Sequence, residues 1–167
     1  MTKQEARLKF LKIRKSLSKK TISKEKMNII IESGFIRCGM NIGIYYPILN
    51  EIDLLPLVNL FPNTSFYLPI TRDVLEFVRY QKTTQLIPGP FHTVEPVGAC
   101  IPLSKLDAIF IPCLAIHKNK KRLGYGKGFY DRTLQNYKGM KIGVCYDCLC
   151  NQEFDTDEFD LMLDWII

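Results

Sequence analysis

Apolar and polar positions along the chain alternate in two rhythms. Over residues ~3–17, Leu8, Leu11 and Ile13 recur among charges at helical spacing and predict an amphipathic helix; a second helix is predicted over ~23–36, opened by Ser23 as its N-cap. Beyond residue 40 the rhythm shortens. Asn41-Ile-Gly-Ile-Tyr-Tyr46 reads as a buried strand ending at Pro47, Phe66–Leu68 as a strand closed by Pro69, and Val74–Tyr80 as a partly exposed strand. Asp107-Ala-Ile-Phe-Ile111 is a continuous apolar strand, and strands over Ile142–Tyr146 and near Leu163–Ile167 complete the set. A short helix is predicted around Leu54–Leu60 and another over Gly128–Tyr137. Gln81 to Pro102 reads as irregular because of Pro88, Gly89, Pro90, Pro96 and Gly98, and Cys113–Lys121 as a loop. Loops as long as the first are often functional. Apolar strands separated by helices predict the α/β class, with a largely parallel sheet covered on both faces. No repeat or low-complexity linker divides the chain, so residues 1–167 are expected to form one domain.

Charge changes this picture only once it is located. The net charge of +6 suggests a nucleic-acid binder, but residues 1–20 hold eight cations against Glu5 alone and the remainder is close to neutral. No basic stripe covers the domain, which argues against nucleic acid as a partner. The other end is acidic, with Glu153, Asp155, Asp157, Glu158, Asp160 and Asp164 and no cation among them. No apolar run is long enough to span a bilayer, and the charged opening is unlike a signal peptide, so no membrane partner and a cytoplasmic location are expected. The six cysteines are then expected to be free thiols. Cys145-Tyr-Asp-Cys148 has the form of a CxxC, yet it continues an apolar strand in which Cys145 acts as a small hydrophobe, and no second pair completes a zinc set. His92 and His117 stand alone and read as loop histidines.

The densest chemistry lies in Arg122-Leu-Gly-Tyr-Gly-Lys-Gly-Phe-Tyr-Asp-Arg132. Its glycines allow tight turns and close backbone approach to a ligand, and a loop feeding a helix directs N–H donors at an anion. Arg122 and Lys127 suit phosphate oxygens, and Asp131 supplies a hard oxygen ligand for Mg²⁺. The spacing is neither that of a P-loop nor that of the dinucleotide fingerprint. Spacing alone therefore leaves open a glycine-rich turn with solvated polar residues. Tyr125, Phe129 and Tyr130 favour a ligand, since rings beside a polar loop commonly stack on something flat.

The order of segments resembles the 5-formyltetrahydrofolate cyclo-ligase family over nearly the full length. The likeness rests on the basic first helix with Lys3 and Arg7, Tyr45-Tyr-Pro47 followed by Glu51, Leu68-Pro69, Leu75-Glu-Phe77, Glu95-Pro96, Asp107 to Pro112, the eleven-residue motif and Gly143-Val-Cys-Tyr-Asp147. It implies a three-layer α/β/α fold and an ATP- and Mg²⁺-dependent enzyme that converts 5-formyltetrahydrofolate to 5,10-methenyltetrahydrofolate, ADP and phosphate; a monomer is expected, although the residues do not themselves give the oligomeric state. By the resemblance, ATP is bound by Lys3, Arg7, Arg122, Leu123, Gly124, Tyr125, Gly126, Lys127, Gly128, Phe129 and Tyr130. Lys127 is expected nearest the transferred group and Tyr130 near the formyl group, the two making up the catalytic pair. The folate is expected against Tyr46, Glu51, Tyr125, Gly126, Lys127, Gly128 and Phe129, with Mg²⁺ on Asp131 and Asp160. Cys113, His117, Lys120 and Leu149 depart from the family pattern, which puts the pocket wall in question. Two other readings remain open at this stage: a sugar-phosphate isomerase or CoA-transferase-like enzyme on a similar fold, or a module that binds RNA through the basic helix.

Overall fold

The computed structural model describes residues 1–167. Helix α1 (Lys3–Lys15) starts where Thr2 and Glu5 form a capping box, each side chain bonding the other's backbone N–H. Its buried stripe is Ala6, Phe10 and Arg14, whereas Leu8 is 69% exposed. The apolar stripe expected from Leu8, Leu11 and Ile13 is thus rotated, because an arginine that finds polar partners inside occupies the third position. Helix α2 (Lys19–Ser33) begins at Ser18, earlier than expected, and ends at Gly34, whose φ of 74° provides the left-handed cap. Ser23 is therefore no N-cap. It lies within the helix, buried, and its hydroxyl accepts a bond from the Asp53 N–H at 2.9 Å.

Strands β1 (Asn41–Gly43), β2 (Ser65–Thr71), β3 (Leu75–Tyr80), β6 (Cys100–Ile101), β7 (Ala108–Pro112), β10 (Met140–Val144) and β11 (Trp165–Ile166) form one seven-stranded sheet in the order β11-β10-β7-β1-β2-β3-β6. The pairings from β11 to β2 are parallel and the last two antiparallel. Ala108 through Ile111 are fully buried although their side chains alternate between faces, so both sides of the sheet are covered in a three-layer α/β/α fold. The chain leaves β1 towards β2 on one side and later fills β7 on the other. Open parallel sheets bind ligands at such a switch point, beyond the carboxyl ends of the strands.

Several local expectations change. Pro69 does not close β2, which runs on to Thr71. The Tyr67 carbonyl accepts from Ile44 N–H, so residue 69, two positions on, turns its backbone to the same side, where β1 has already ended and no N–H is required. The segment from Gln81 to Pro102 is not irregular: β4 (Leu86–Pro88) and β5 (Val94–Pro96) form a hairpin before β6. Within Cys113–Lys121, β8 (Ala115–Ile116) pairs with β9 (Arg122–Leu123), so the motif begins as strand. Helix α3 is confined to Leu57–Leu60. Helix α4 spans only Phe129–Leu134, since the chain turns so that the Tyr137 hydroxyl donates to the Leu106 carbonyl at 2.7 Å.

Candidate functional site

Two cavities lie at the switch point, back to back. The first, about 260 Å³, has ten apolar residues among its eighteen wall residues and sits beyond the ends of β1 and β7, between Tyr45, Tyr46 and Pro112. Across it lie Tyr125, Lys127, Phe129 and Tyr130 from the motif, and Phe91 from the β4–β5 hairpin. The hairpin tip holds Phe91 and His92 at φ of 57° and 62°, an uncommon state for side-chain-bearing residues. It delivers the Phe91 ring to the cavity mouth, where the Lys127 ammonium stands 4.6 Å and the Phe129 centroid 5.9 Å from the ring centroid.

One carboxylate lines this apolar space. Glu51 is 4% exposed; it accepts from the Ile48 N–H at 2.9 Å and from the Tyr125 hydroxyl at 3.0 Å. Burial raises its pKa from 4.5 to about 7, against the opposing pull of those hydrogen bonds and of Arg14 and Arg122. Arg14, 1% exposed, donates to the same Tyr125 hydroxyl, with its guanidinium carbon 5.3 Å from the ring centroid. Burial also raises the Tyr130 phenol, which therefore stays neutral, and the Arg122 guanidinium sits 5.1 Å from its ring centroid.

The second cavity, about 290 Å³, has only two apolar residues among twelve. Lys3 and Arg7 enter it from one face of α1, and Arg122, Gly124, Gly126 and Gly128 come from the motif. Arg7 Nε donates to the Gly124 carbonyl at 2.9 Å. Gly126, at φ of 91°, leaves room for that guanidinium, which a Cβ would meet at 3.1 Å. Lys3 Nζ reaches Asp160 at 2.5 Å and Asp157 at 2.6 Å. Partial burial works against its charge, but the bonds to the two carboxylates prevail and raise its pKa above 10.5. Asp131 accepts from Arg122 at 3.2 Å and from the Leu161 N–H at 3.1 Å. Asp131 and Asp160 thus face one charged space with lone pairs to spare. Two carboxylates would make an oxygen set that suits Mg²⁺ if a ligand's oxygens and water completed it.

Arg122 and Gly128 belong to both walls. Arg122 is 7% exposed, and its Nε is buried without a partner. A buried donor of this kind needs a partner, which a water or a ligand group entering the cavity can supply.

All the residues expected to form the site gather at these two cavities, but the motif divides between them. Leu123, Gly124 and Gly126 face the charged side, whereas Tyr125, Lys127, Phe129 and Tyr130 face the apolar side with Tyr46 and Glu51. Sequence reasoning missed Arg14, Phe91 and Asp157. Arg14 follows Arg7 by seven residues, two helical turns on the same face, and that spacing was a legible signal. None of Cys113, His117, Lys120 and Leu149 lines either cavity. Lys120 takes φ of 64° in the β8–β9 turn, a conformation that favours glycine, and Leu149 is fully buried.

Comparison with known proteins points to one family. The model of the "5-formyltetrahydrofolate cyclo-ligase family" matches residues 1–167. The chain is 31% identical to the 5-formyltetrahydrofolate cyclo-ligase of Haemophilus influenzae, covering 96% of this chain and 94% of that one. It is 33% identical to the Escherichia coli K12 protein of the same name, over 70% of this chain and 71% of the other. The solved structure of Aquifex aeolicus 5,10-methenyltetrahydrofolate synthetase superposes with a TM-score of 0.83 at 29% identity, covering 99% of this chain and 89% of that one.

Proposed function

The chain belongs to the 5-formyltetrahydrofolate cyclo-ligase family, and from that membership we propose that it closes the ring of 5-formyltetrahydrofolate at the expense of ATP, the charged cavity taking the nucleotide and the apolar cavity the folate. The observation that carries this reading is the shared wall: Arg122 and Gly128 border both spaces, so a phosphoryl group on one side has an acceptor within reach on the other.

The formyl oxygen of an amide is a poor leaving group. Its lone pair attacks the γ-phosphorus, and the bond from that phosphorus to the bridging oxygen breaks, releasing ADP. The N10 nitrogen of the folate then attacks the activated formyl carbon. As the new C–N bond forms, the C–O bond breaks, phosphate departs and N10 loses its proton. Such a sequence needs reactants held in line and charge neutralised, with no covalent help from the protein.

Lys3 and Arg7 would hold the nucleotide phosphates together with the backbone of Arg122–Gly128. Lys127, on the apolar side of the wall, would neutralise charge on the phosphoryl group as it reaches the formyl oxygen, with the neutral Tyr130 hydroxyl beside it. Asp131 and Asp160 would hold Mg²⁺ through lone pairs not already accepting hydrogen bonds. The ion would supply charge neutralisation on the β- and γ-phosphates. Glu51 would accept from the donor-rich pterin edge, and Tyr46 and Phe129 would flank the flat ring. No helix of the chain is long and apolar enough to cross a membrane, and the reading takes the protein as a cytoplasmic monomer without a nucleic-acid partner.

The test is the near-ultraviolet absorbance of the conjugated methenyl product. Product is expected only with ATP and Mg²⁺ both present; product without nucleotide, or none from folded protein under any condition, overturns the reading.

A further inference from the structure

Arg14 touches neither cavity, yet it is the largest fully buried side chain of the molecule. Its guanidinium makes one side-chain hydrogen bond, to the Tyr125 hydroxyl, and its Nε is buried without a partner. Burying a charge with so few partners is strongly unfavourable, and a core position at the end of an apolar stripe is one that leucine fills without that penalty. The surroundings show what the charge is for. Tyr125 receives the Arg14 N–H and passes its own O–H to Glu51, so cation, phenol and carboxylate stand in series, with only the last two reaching the apolar cavity. The arrangement is fastened from behind: the Asn50 side chain donates to the Arg14 and Leu17 carbonyls at 2.7 and 3.1 Å, and Tyr146 donates to the Asn50 carbonyl at 2.8 Å. Leu49 and Asn50 both take positive φ, so the turn that presents Glu51 is an unfavourable one held by these bonds to α1.

We propose that Arg14 is a positioning residue for the folate cavity, fixing the Tyr125 hydroxyl and through it the orientation and ionisation of Glu51. This rests on the reading above, in which Glu51 meets the pterin. The charged and titratable groups facing Glu51 are Arg14 from α1, Arg122 from β9, Tyr125 from the glycine loop, Tyr130 from α4, and Tyr45, Cys113 and Tyr146 beyond the ends of β1, β7 and β10. Only Arg14 and Arg122 are cations, and Arg122 already pairs with Asp131. Removing Arg14 therefore takes away the unshared positive charge near Glu51, and the carboxylate should ionise at higher pH.

The experiment uses Arg14→Met, which keeps the length of the side chain, Arg14→Lys, which keeps the charge, and Tyr125→Phe, which breaks the series without removing the cation. Two readouts are followed: the ¹³C NMR titration of the Glu51 carboxyl, and the Michaelis constants for folate and ATP between pH 6 and 9. In Arg14→Met the Glu51 midpoint should rise by roughly one unit and the KM for folate at neutral pH by about fivefold, since moving the midpoint from about 7 to about 8 cuts the ionised fraction at pH 7 from about one half to about one tenth. The KM for ATP should stay within about twofold, Arg14→Lys should restore most of the midpoint, and Tyr125→Phe should move it in the same direction by less. Should Arg14→Met fail to fold, Tyr125→Phe and Arg14→Lys carry the same comparison. A Glu51 midpoint and folate KM profile unmoved in the variants, with only the melting temperature lowered, would show Arg14 to be a packing residue and overturn the proposal. Absence of folate turnover by the wild-type chain would instead overturn the functional reading.

Discussion

The two cavities solve opposite problems with the same wall. On the charged side every carboxylate has a cation: Lys3 with Asp157 and Asp160, Arg122 with Asp131, and the Asp157 side chain is half exposed. Apart from Asp157 these groups are largely buried, Arg122 and Asp160 most of all, so a multiply charged ligand entering here would have to take the place of a partner that each cation already has. On the apolar side a single buried carboxylate is held by a phenol and a backbone N–H, with a buried arginine behind. Nothing there exchanges easily. On the proposed reading a polyanion would be met by compensated charge, whereas a flat and mostly neutral ring would be met by apolar walls and one fixed acceptor.

Changes at each side should therefore separate in kinetics. The largest effect is expected from Lys127→Met, because that ammonium belongs to the apolar side yet would act on charge arriving from the other. Turnover should fall on the order of 100-fold, roughly 3 kcal/mol of lost transition-state stabilisation, with the melting temperature unchanged because the residue is exposed. Near-normal kcat in the folded variant would assign Lys127 to solvent. Replacing Lys3 and Arg7 together with alanine should raise the KM for ATP roughly tenfold or more, as expected for losing hydrogen bonds to charged groups, while the KM for folate stays put. Equal loss on both substrates would collapse the distinction between the cavities.

A third test uses pH. Glu51 titrates at about 7 in the folded chain instead of 4.5, so its carboxylate form grows as pH rises through neutrality, and the KM for folate should fall several-fold from pH 6 to 8. The same shift acts on stability with the opposite sign. Between 4.5 and about 7 the folded chain keeps a proton that the unfolded chain has released, so Glu51 makes stability decrease as pH rises through that window. Glu51→Gln should flatten both profiles, read by folate kinetics and by thermal melts across pH. The smallest effect is expected from Lys19→Ala with Lys20→Ala: these residues open α2 away from both cavities, and ATP kinetics should change less than about twofold, as for surface charges generally. Sensitivity equal to that of Lys3 and Arg7 would favour a diffuse electrostatic tether.

How much of this was legible beforehand follows physical lines. The apolar runs at Ile42–Ile44, Ala108–Ile111 and Ile142–Val144 are buried on both faces, and such strands announce a parallel sheet without help from their neighbours. Boundaries were less legible where a tertiary partner decides them. Pro69 sits mid-strand because β1 stops short, and Ser23 lies inside a helix because Asp53 needs its hydroxyl. The motif's chemistry could be read, but its division between two cavities could not, since that depends on which way each side chain leaves a loop turned by Gly126 and Gly128. Phe91 was hidden for a like reason: a hairpin held at positive φ, not its local sequence, brings it to the cavity. Arg14 reads in sequence as one cation in a basic run, and only its seven-residue spacing from Arg7 sets it on the same face.

The bonds from Lys3 to Asp157 and Asp160 join residues 154 and 157 positions apart, so the charged cavity closes only when the first helix and the acidic stretch dock against each other. Neither segment adds a strand to the main sheet, and Phe10 packs edge-on against Phe154 between them, so they open as one unit, exposing that contact while the strands stay folded. Hydrogen exchange should therefore show α1 and residues 153–162 opening together as one unit, faster than β7 and β10. Mg-ATP should slow both by the same factor, because a ligand held between two segments suppresses whichever motion parts them.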